Sequence, residues 1–236
     1  MNEQHIASAY DRDLEAIQAM IIKMGGLVEA AIADGTRSLE TRDIELAEKV
    51  RAGDKAVDEL EERVNEEAAR TIALRAPVSK DLRIILAVLR LAGSLERVGD
   101  YAKNIAKRTF ILAEMRPISG SDATLRRMAR EVELMLRDTL DAFIARDAKL
   151  AEDVILRDEG VDQMYNALFR EFLTHMMEDP RNITACTHLL FCAKNLERIG
   201  DHVTNIAENA YFVMTGTQLP ANRPKIDETA MTAPAA

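Results

Sequence analysis

The chain has 236 residues, 47% of them hydrophobic, so it is long enough to bury one large core or two cores of about 100 residues each. Aromatic residues make up only 4% of the chain and tryptophan is absent, a composition that suits helices rather than a β-sandwich. The formal net charge of −9 argues against sequence-independent binding of nucleic acid, which needs a surplus of lysine and arginine.

The first half of the chain shows helical periodicity nearly throughout and no run of β-alternation. The pattern predicts a first helix over about 5–39 and a second over about 43–74. The stretch "RAPVSKD" then breaks the pattern, and Ser79 within it is suited to be the N-cap of a third helix that reaches about residue 113.

A second set of helices begins after a short linker. The stretch "RPISGSD" combines Pro, Gly and Ser, and it predicts a domain boundary with a linker over 116–121. Asp122 is placed to cap a fourth helix that extends to about residue 145. Asp147 is placed to cap a fifth helix that extends to about residue 176.

The start of the last helix carries the strongest local signal. Asp179 is a favourable N-cap, and Pro180 after it suits the first helical position. This sixth helix is expected to end near residue 214, with Gly216 just beyond it. The remaining residues, 216–236, hold three prolines and no apolar period, so we expect a disordered tail.

The two halves of the chain repeat each other. "LERVGDYAKNIA" at 95–106 matches "LERIGDHVTNIA" at 196–207 in eight of twelve positions, at a spacing of 101 residues. "RDIELAEKV" matches "RDAKLAEDV" at a spacing of 104. Three helices, repeated once, predict an all-α fold of two tandem three-helix bundles at 1–115 and 122–215, with six long helices. Short connections make consecutive helices antiparallel, so each half is expected to be an up-down-up bundle.

Acidic residues form columns on the second and third helix of each repeat. Residues at i and i+4 share a helix face, where like charges destabilise the helix by a few tenths of a kcal/mol. A hard cation bound between two such helices would reverse that effect, and carboxylate oxygens suit Fe, Mn, Mg or Ca better than structural Zn. The columns consist of Asp54, Asp58, Glu96 and Asp100 in the first half and of Asp158, Asp162, Glu197 and Asp201 in the second.

A simpler interpretation of these acids is that they are solvated. The apolar stripe of the third helix is centred some 160° away, so the acids are expected to face outward, and Arg97 and Lys103 could each pair with Asp100. Gly99 and Gly200 lie within the acidic pairs at a cost of about 1 kcal/mol relative to alanine, which either a close approach or plain packing would explain. The stripe consists of Leu95, Val98, Ala102 and Ile105.

The cysteines and the apolar runs predict a soluble, cytoplasmic protein. Cys186 and Cys192 lie about 120° apart on one helix and cannot bridge each other, so we expect buried free thiols, which fit a reducing compartment. No signal peptide opens the chain. The most apolar run, at 84–93, is interrupted by Arg90 and falls short of the ~20 residues that span a bilayer.

The paired "LERxGDxxxNIA" segments, each on the last helix of a three-helix repeat, resemble the PhoU family of phosphate-specific transport system accessory proteins. The resemblance covers about residues 5–214 and includes "HIASAYDRDLEAI" and "DPRNI". It implies an all-α fold of two similar bundles. It also implies that the E/D-x-x-x-D motifs bind metal clusters on the bundle surface, with Fe, Zn, Mn or Mg as candidate ions and all eight acids named above as candidate ligands.

The same resemblance implies a regulator and not an enzyme. Members of this family restrain phosphate uptake and the phosphate-starvation response by joining the phosphate ABC transporter, through its ATPase subunit, to the sensor histidine kinase. We therefore expect a homodimer that reaches the membrane only through protein partners and binds no nucleic acid.

The residues alone leave two other classes of function open. A carboxylate-bridged di-metal enzyme of the ferritin-like kind takes Glu-x-x-His pairs from facing helices, but the residue three beyond both Glu96 and Glu197 is glycine. No phosphate loop or nucleophile elbow is present in the sequence. A purely structural helical scaffold is the second class, and it predicts that changing Asp100 and Asp201 to Asn leaves regulation intact.

Overall fold

The computed structural model describes residues 2–118 and 121–217, and in these ranges the regular structure is entirely helical. The predicted all-α fold is therefore confirmed. This part of the chain has seven α-helices: α1 (Asn2–Thr41), α2 (Ile44–Gly53), α3 (Lys55–Arg75), α4 (Lys80–Leu112), α5 (Ser121–Ala145), α6 (Ala148–Glu178) and α7 (Ile183–Thr215). One short 3-10 turn, Pro180–Asn182, precedes α7.

Several helix ends are fixed by the side chains that the sequence indicates. The Asp43 carboxylate accepts a hydrogen bond from the backbone N–H of Leu46 at 2.9 Å, and Asp147 caps α6 in the same way. Asp179 accepts from the backbone N–H of Arg181 at 3.0 Å. Gly216 ends α7 in the left-handed region, with φ of 76°.

Three details of the helix ends differ from the prediction. The second helix is divided at Asp54, where Gly53 weakens the helix; α6 has Arg157 at the position of Gly53 and remains continuous. Ser79 precedes α4, but its φ of 52° and ψ of −112° lie outside N-cap geometry and its side chain makes no capping bond. Asp122 lies inside the first turn of α5 and not at its cap, because that helix begins at Ser121.

The two repeats pack against each other through their last helices, α4 and α7, in a pseudo-twofold arrangement. The equivalent residues Tyr101 and His202 contact each other, with ring centroids 5.6 Å apart. Arg90 contacts Asn209 at 3.3 Å, and the residues equivalent to that pair also meet, since the Arg108 guanidinium lies 4.6 Å from the ring centroid of Phe191. Reciprocal contacts of this kind are the signature of a twofold relation.

A single hydrophobic cluster joins both halves. Side chains of α1, α3 and α4 and of α5, α6 and α7 all contribute to it, and the predicted apolar stripe of α4 is fully buried there. Cys186 and Cys192 are buried free thiols, as expected. The predicted linker lies partly outside the described residues, and the predicted tail lies almost wholly outside them.

In the part of the chain that the structure describes, one segment, Tyr10–Thr41 of α1, is long and apolar enough to cross a membrane. It is longer than the apolar run at 84–93 that stands out in the sequence. Ile21, Met24 and Val28 of this segment are fully buried in the bundle. Packing against the other helices accounts for these positions, and 33% of the apolar window is buried in all.

Candidate functional site

The eight predicted acids lie in two clusters, one in each repeat, at the contacts of α2/α3 with α4 and of α6 with α7. We name the set Asp54, Asp58, Glu96 and Asp100 the first cluster and the set Asp158, Asp162, Glu197 and Asp201 the second cluster. Asp54 and Asp158 are buried, at 8% and 7% exposure. Asp58 is exposed and the other five acids are partly buried, so most of the set lines the seam between neighbouring helices instead of a fully solvated face.

A glycine in each motif allows the aspartate of the adjacent helix to approach closely. A Cβ atom at Gly99 would lie 3.5 Å from Asp54 Oδ1, and one at Gly200 would lie 3.3 Å from Asp158 Oδ1. The second contact is tighter than most Cβ contacts, while the first is an ordinary van der Waals distance. Close packing of the carboxylate thus explains the glycine at position 200, whereas the space at Gly99 would accept a Cβ atom.

A lysine holds the first cluster together. The Lys103 ammonium forms an ion pair with Asp54 and a second with Asp100, whose Oδ1 lies 2.6 Å from Nζ. Burial lowers the pKa of Lys103, but the hydrogen bonds to the two aspartates outweigh it and leave the pKa raised. Arg97 adds a longer contact, 3.7 Å from its Nη1 to Asp100. The predicted pairing of Arg97 and Lys103 with Asp100 is confirmed.

The pKa values of Asp58 and Glu96, the remaining acids of the first cluster, are shifted by burial and by neighbouring charges. Burial, followed by the charge of Asp54, raises the pKa of Asp58. Burial, followed by the charge of Asp100, raises the pKa of Glu96. Both shifts show that negative charge is crowded at this seam even with the lysine in place.

The second cluster has a threonine where the first has its lysine. Thr204 is equivalent to Lys103 at the repeat spacing of 101, and its hydroxyl lies 3.2 Å from Asp158 Oδ1 and 2.9 Å from the carbonyl of Gly200. No charge is supplied at this position. The basic groups nearest the α7 acids are instead Lys194, 2.9 Å from Glu197 Oε1, and Arg198, 3.2 Å from Asp201 Oδ2.

Glu197 is the least satisfied acid of the second cluster. Its side chain is 13% exposed, and its Oε2 atom is buried with no hydrogen-bond partner among the described residues. The Nε of Arg198 lies 3.7 Å from that oxygen, too far for a hydrogen bond. Burial raises the pKa of Glu197 although Lys194 opposes the shift. This oxygen is an acceptor that a bound cation would satisfy.

The side chains are arranged as ion pairs rather than around a common centre. Within residues 2–118 and 121–217, no three His, Cys, Asp or Glu side chains converge as the ligands of one ion. Sequence reasoning foresaw the acids but not the role of Lys194 or the contrast between Lys103 and Thr204. The signal was available, since the two motifs align without a gap across these positions.

Comparison with known proteins places this doubled arrangement in a family. The family model "PhoU domain" matches twice, at 21–109 and 125–210, and each match contains one acidic cluster. The chain belongs to the PhoU family. A phosphate-specific transport system accessory protein PhoU homologue of Caulobacter vibrioides is 49% identical over 95% of this chain and 97% of its own length. The Rhizobium meliloti homologue is 47% identical over 97% of both chains.

A solved PhoU structure has the same fold. The crystal structure of PhoU from Pseudomonas aeruginosa superposes with a TM-score of 0.86 at 36% identity, covering 88% of this chain and all of that one. The predicted family and the doubled helical architecture are thereby confirmed. The PhoU family is a family of accessory regulatory proteins, which agrees with the expectation of a role other than catalysis.

Proposed function

We propose that this chain is an accessory regulator of phosphate transport that restrains phosphate uptake and the phosphate-starvation response when phosphate is plentiful. The observation that carries the proposal is the double PhoU-domain match, together with near full-length relatives named as accessory proteins of the phosphate-specific transport system. The finer part of the proposal is an adaptor role. In that role a cytoplasmic homodimer joins the ATPase subunit of the transporter to the sensor histidine kinase.

Deletion of the gene tests this function directly. We expect alkaline phosphatase expression in high phosphate to rise in the deletion strain and to return to the starting level when the wild-type chain is supplied. Co-purification with the transporter ATPase and with the kinase tests the adaptor part separately. Unchanged phosphatase expression in the deletion strain contradicts the regulatory role. Normal regulation without either partner in the purified complex contradicts only the adaptor.

We further propose that the second cluster binds metal more readily than the first. Its carboxylates fit a hard cation such as Fe, Mn or Mg, with Zn as a further candidate, and the unsatisfied Glu197 oxygen supports that fit. A bound cation would neutralise the crowded carboxylates. In the first cluster the Lys103 ammonium already occupies the contact between Asp54 and Asp100, so a cation there must displace it.

Elemental analysis of protein purified without chelators or a histidine tag tests the metal proposal. We expect the Glu197→Ala/Asp201→Ala variant to lose more metal than the Glu96→Ala/Asp100→Ala variant. Thr204→Lys, which copies the lysine of the first cluster, should also lower the metal content. Equal losses in the two double variants contradict the difference between clusters. A metal-free wild type removes the metal proposal and leaves the regulatory one intact.

A ferritin-like oxidase is the competing function, and the described residues give it no Glu-x-x-His pair or converging ligand set. Adding ferrous iron in air separates the two proposals. We expect no turnover above the rate of iron oxidation in buffer. Sustained catalytic oxidation by the wild type that is lost in the Glu197→Ala variant would support an enzyme instead.

A further inference from the structure

A large cavity lies between the two repeats at one end of the bundle, away from both acidic clusters. It has a volume of about 740 Å³ and is lined by α1, α4, α5 and α7. Its inner wall is apolar and includes Ile105, Leu112, Leu189 and Leu196, all of them buried residues. Cys192 lines it too, and burial raises the pKa of this thiol to about 12, which fits a wall of low polarity.

The mouth of the cavity is rich in arginine. Glu40 and Glu133 are the two acids of the lining, and Arg126 pairs with Glu40 at 2.9 Å. The basic residues exceed these acids by three, so the mouth has a positive charge although the whole chain is acidic. The arginines of the lining are Arg37, Arg42, Arg116, Arg126 and Arg130.

The internal repeat provides a natural comparison, because the pseudo-twofold relation places an equivalent space at the other end of the bundle. That space is lined by Phe143, Arg146 and Val213, among others, and has a volume of about 130 Å³. Phe143 is equivalent to Leu39 of the large cavity, and Arg146 to Arg42, at the repeat spacing of 104. The same fold therefore closes this space at one end and leaves it open at the other.

Two differences in side-chain size accompany the difference in volume. Thr36 lines the large cavity where the other repeat has Leu140, which packs so closely that a Cβ atom at Gly25 would lie 2.4 Å from its Cδ1. Leu39 likewise stands in place of the larger Phe143. The cavity thus reflects particular small residues in this repeat and is not a general consequence of the helix arrangement.

The positive charge is also particular to the large cavity. Three of its arginines have no basic counterpart in the other repeat, and the equivalent residues there are aspartate, isoleucine and glycine. The large volume and the arginine-rich mouth are therefore found together at one end of the bundle, whereas the space at the other end is smaller and has one arginine, Arg146, in its described lining. The equivalent pairs are Arg37 and Asp141, Arg126 and Ile22, and Arg130 and Gly26.

We propose that this cavity binds a small amphipathic anion, with the apolar body against the inner wall and a phosphate or carboxylate group at the arginine mouth. The volume lies within the ~300–1,000 Å³ typical of small-molecule sites, which are mostly apolar with a few polar groups that orient the ligand. Arginine is suited to the head group because its planar guanidinium binds phosphate and carboxylate in a bidentate manner.

The last described residues lie at the opposite end of α4 from the cavity. Gly216 lies beside Arg83 near the start of α4, whereas the cavity is lined by Leu112 at the end of that helix. At 1.5 Å per residue, the two ends of α4 are roughly 45 Å apart. The volume, the apolar wall and the arginines of the mouth favour a small ligand from solution as the occupant to test.

Binding is measured with the purified full-length chain. Anilinonaphthalene sulfonate serves as a fluorescent probe, and octyl phosphate, octanol and inorganic phosphate serve as competitors. The Thr36→Leu/Leu39→Phe variant fills the cavity with the side chains of the other repeat, and Thr36→Leu alone is a milder version. Arg37→Ala/Arg130→Ala removes charge from the mouth, and Arg146→Ala is the matched control at the small space. Circular dichroism and thermal melting confirm that each variant is folded.

We expect octyl phosphate to displace the probe from the wild type and from Arg146→Ala with equal affinity. The filled variant should bind octyl phosphate at least about tenfold more weakly, and the double arginine variant about tenfold more weakly with octanol unchanged. Wild-type affinity in the filled and arginine variants overturns the proposal. The proposal is also overturned if inorganic phosphate competes as well as octyl phosphate. The same holds if binding is seen only with anionic vesicles or with a partner helix.

Discussion

The two acidic clusters share their carboxylates and glycine but carry their lysine at different positions: Lys103 is replaced by Thr204 in the second cluster, and Lys194 has Gly93 as its equivalent in the first repeat. In the first cluster, Lys103 lies between Asp54 and Asp100 and supplies a cation from the chain itself. In the second cluster, Thr204 occupies the equivalent position and contributes only a neutral hydroxyl. The two repeats thus differ in which acids the lysine pairs with: Lys103 pairs with Asp54 and Asp100 in the first cluster, whereas Lys194 pairs with Glu197 in the second.

Burial explains why the position of Lys103 matters for stability. An ion pair on an exposed surface contributes little, but removing one partner from a buried pair leaves a charge without compensation. Asp54 is 8% exposed and Lys103 is 22% exposed, so their contact is closer to the buried case. Lys103 should therefore contribute more to the stability of the fold than any exposed charged residue on α4.

The largest expected effect comes from removing that lysine. We expect Lys103→Thr, which gives the first cluster the residue of the second, to lower the free energy of unfolding by about 2–3 kcal/mol, because the buried Asp54 loses its ammonium partner and Asp100 keeps the longer contact with Arg97. Urea denaturation at neutral pH with chelator measures this change. Adding a divalent cation should restore part of the lost stability.

Lys107→Thr is the matched control for this variant. Lys107 is exposed one turn further along α4 and contacts only Asn104, at 3.3 Å, so its replacement should change the stability by less than about 0.5 kcal/mol. Equal destabilisation by the two substitutions would show that Lys103 acts through helix propensity or general charge and not through the cluster.

A smaller effect, of opposite sign, is expected at the glutamates of the two motifs. Glu197→Gln should raise the free energy of unfolding at neutral pH by about 1 kcal/mol, because burial disfavours the charged form of Glu197 even with Lys194 and Arg198 beside it. Glu96→Gln should raise it less, since the Glu96 side chain is 26% exposed and that of Glu197 is 13% exposed. Metal-free protein is used for both measurements.

The pH dependence of the Glu197 variant follows from the raised pKa of that carboxyl. The folded state binds this proton more tightly than the unfolded state, so ionised Glu197 destabilises the fold above its folded pKa, and the loss disappears as the pH falls below the unfolded value. The stability difference between Glu197→Gln and wild type should therefore be largest near neutral pH and vanish below about pH 4. A difference that does not change with pH would point to packing instead of charge.

The sequence predicted the parts of the molecule that depend on local rules. Helix periodicity and the side-chain caps at Asp147 and Asp179 are local, and the structure confirms them. The division of the second helix at Asp54 escaped prediction because helical periodicity continues across it. Comparing Gly53 with Arg157 in the other repeat would have indicated it.

The site required information that lies between helices. The column spacing correctly placed the acids on one face, but the burial of Asp54 and Asp158 depends on how α3 and α6 approach their neighbours. The cavity has the same origin, since its volume follows from Thr36 lying where the other repeat has a leucine. Aligning the two halves of the chain shows each of these differences, because every residue of one repeat can be compared with its equivalent in the other.

The smallest expected effect is a difference in stability between alanine substitutions at Gly99 and at Gly200. Gly99→Ala should stabilise the protein by up to about 1 kcal/mol, because alanine favours helix and its Cβ would meet Asp54 Oδ1 at an ordinary 3.5 Å. Gly200→Ala should give no gain or a small loss, because its Cβ would lie 3.3 Å from both Asp158 Oδ1 and Val161 Cγ1, and those atoms would have to move.

Thermal or urea denaturation of the two alanine variants under the same conditions measures this difference, with Gly160→Ala, whose Cβ would meet nothing within 4 Å, as a control for helix propensity alone. If Gly99→Ala matches Gly160→Ala while Gly200→Ala falls below both, the second cluster is the more tightly packed of the two. If Gly200→Ala is as stable as the others, Asp158 moves at little cost and the tight contact is not a constraint. A carboxylate that moves so easily would have room to rearrange around a cation, so the same measurement bears on which cluster can open to bind one.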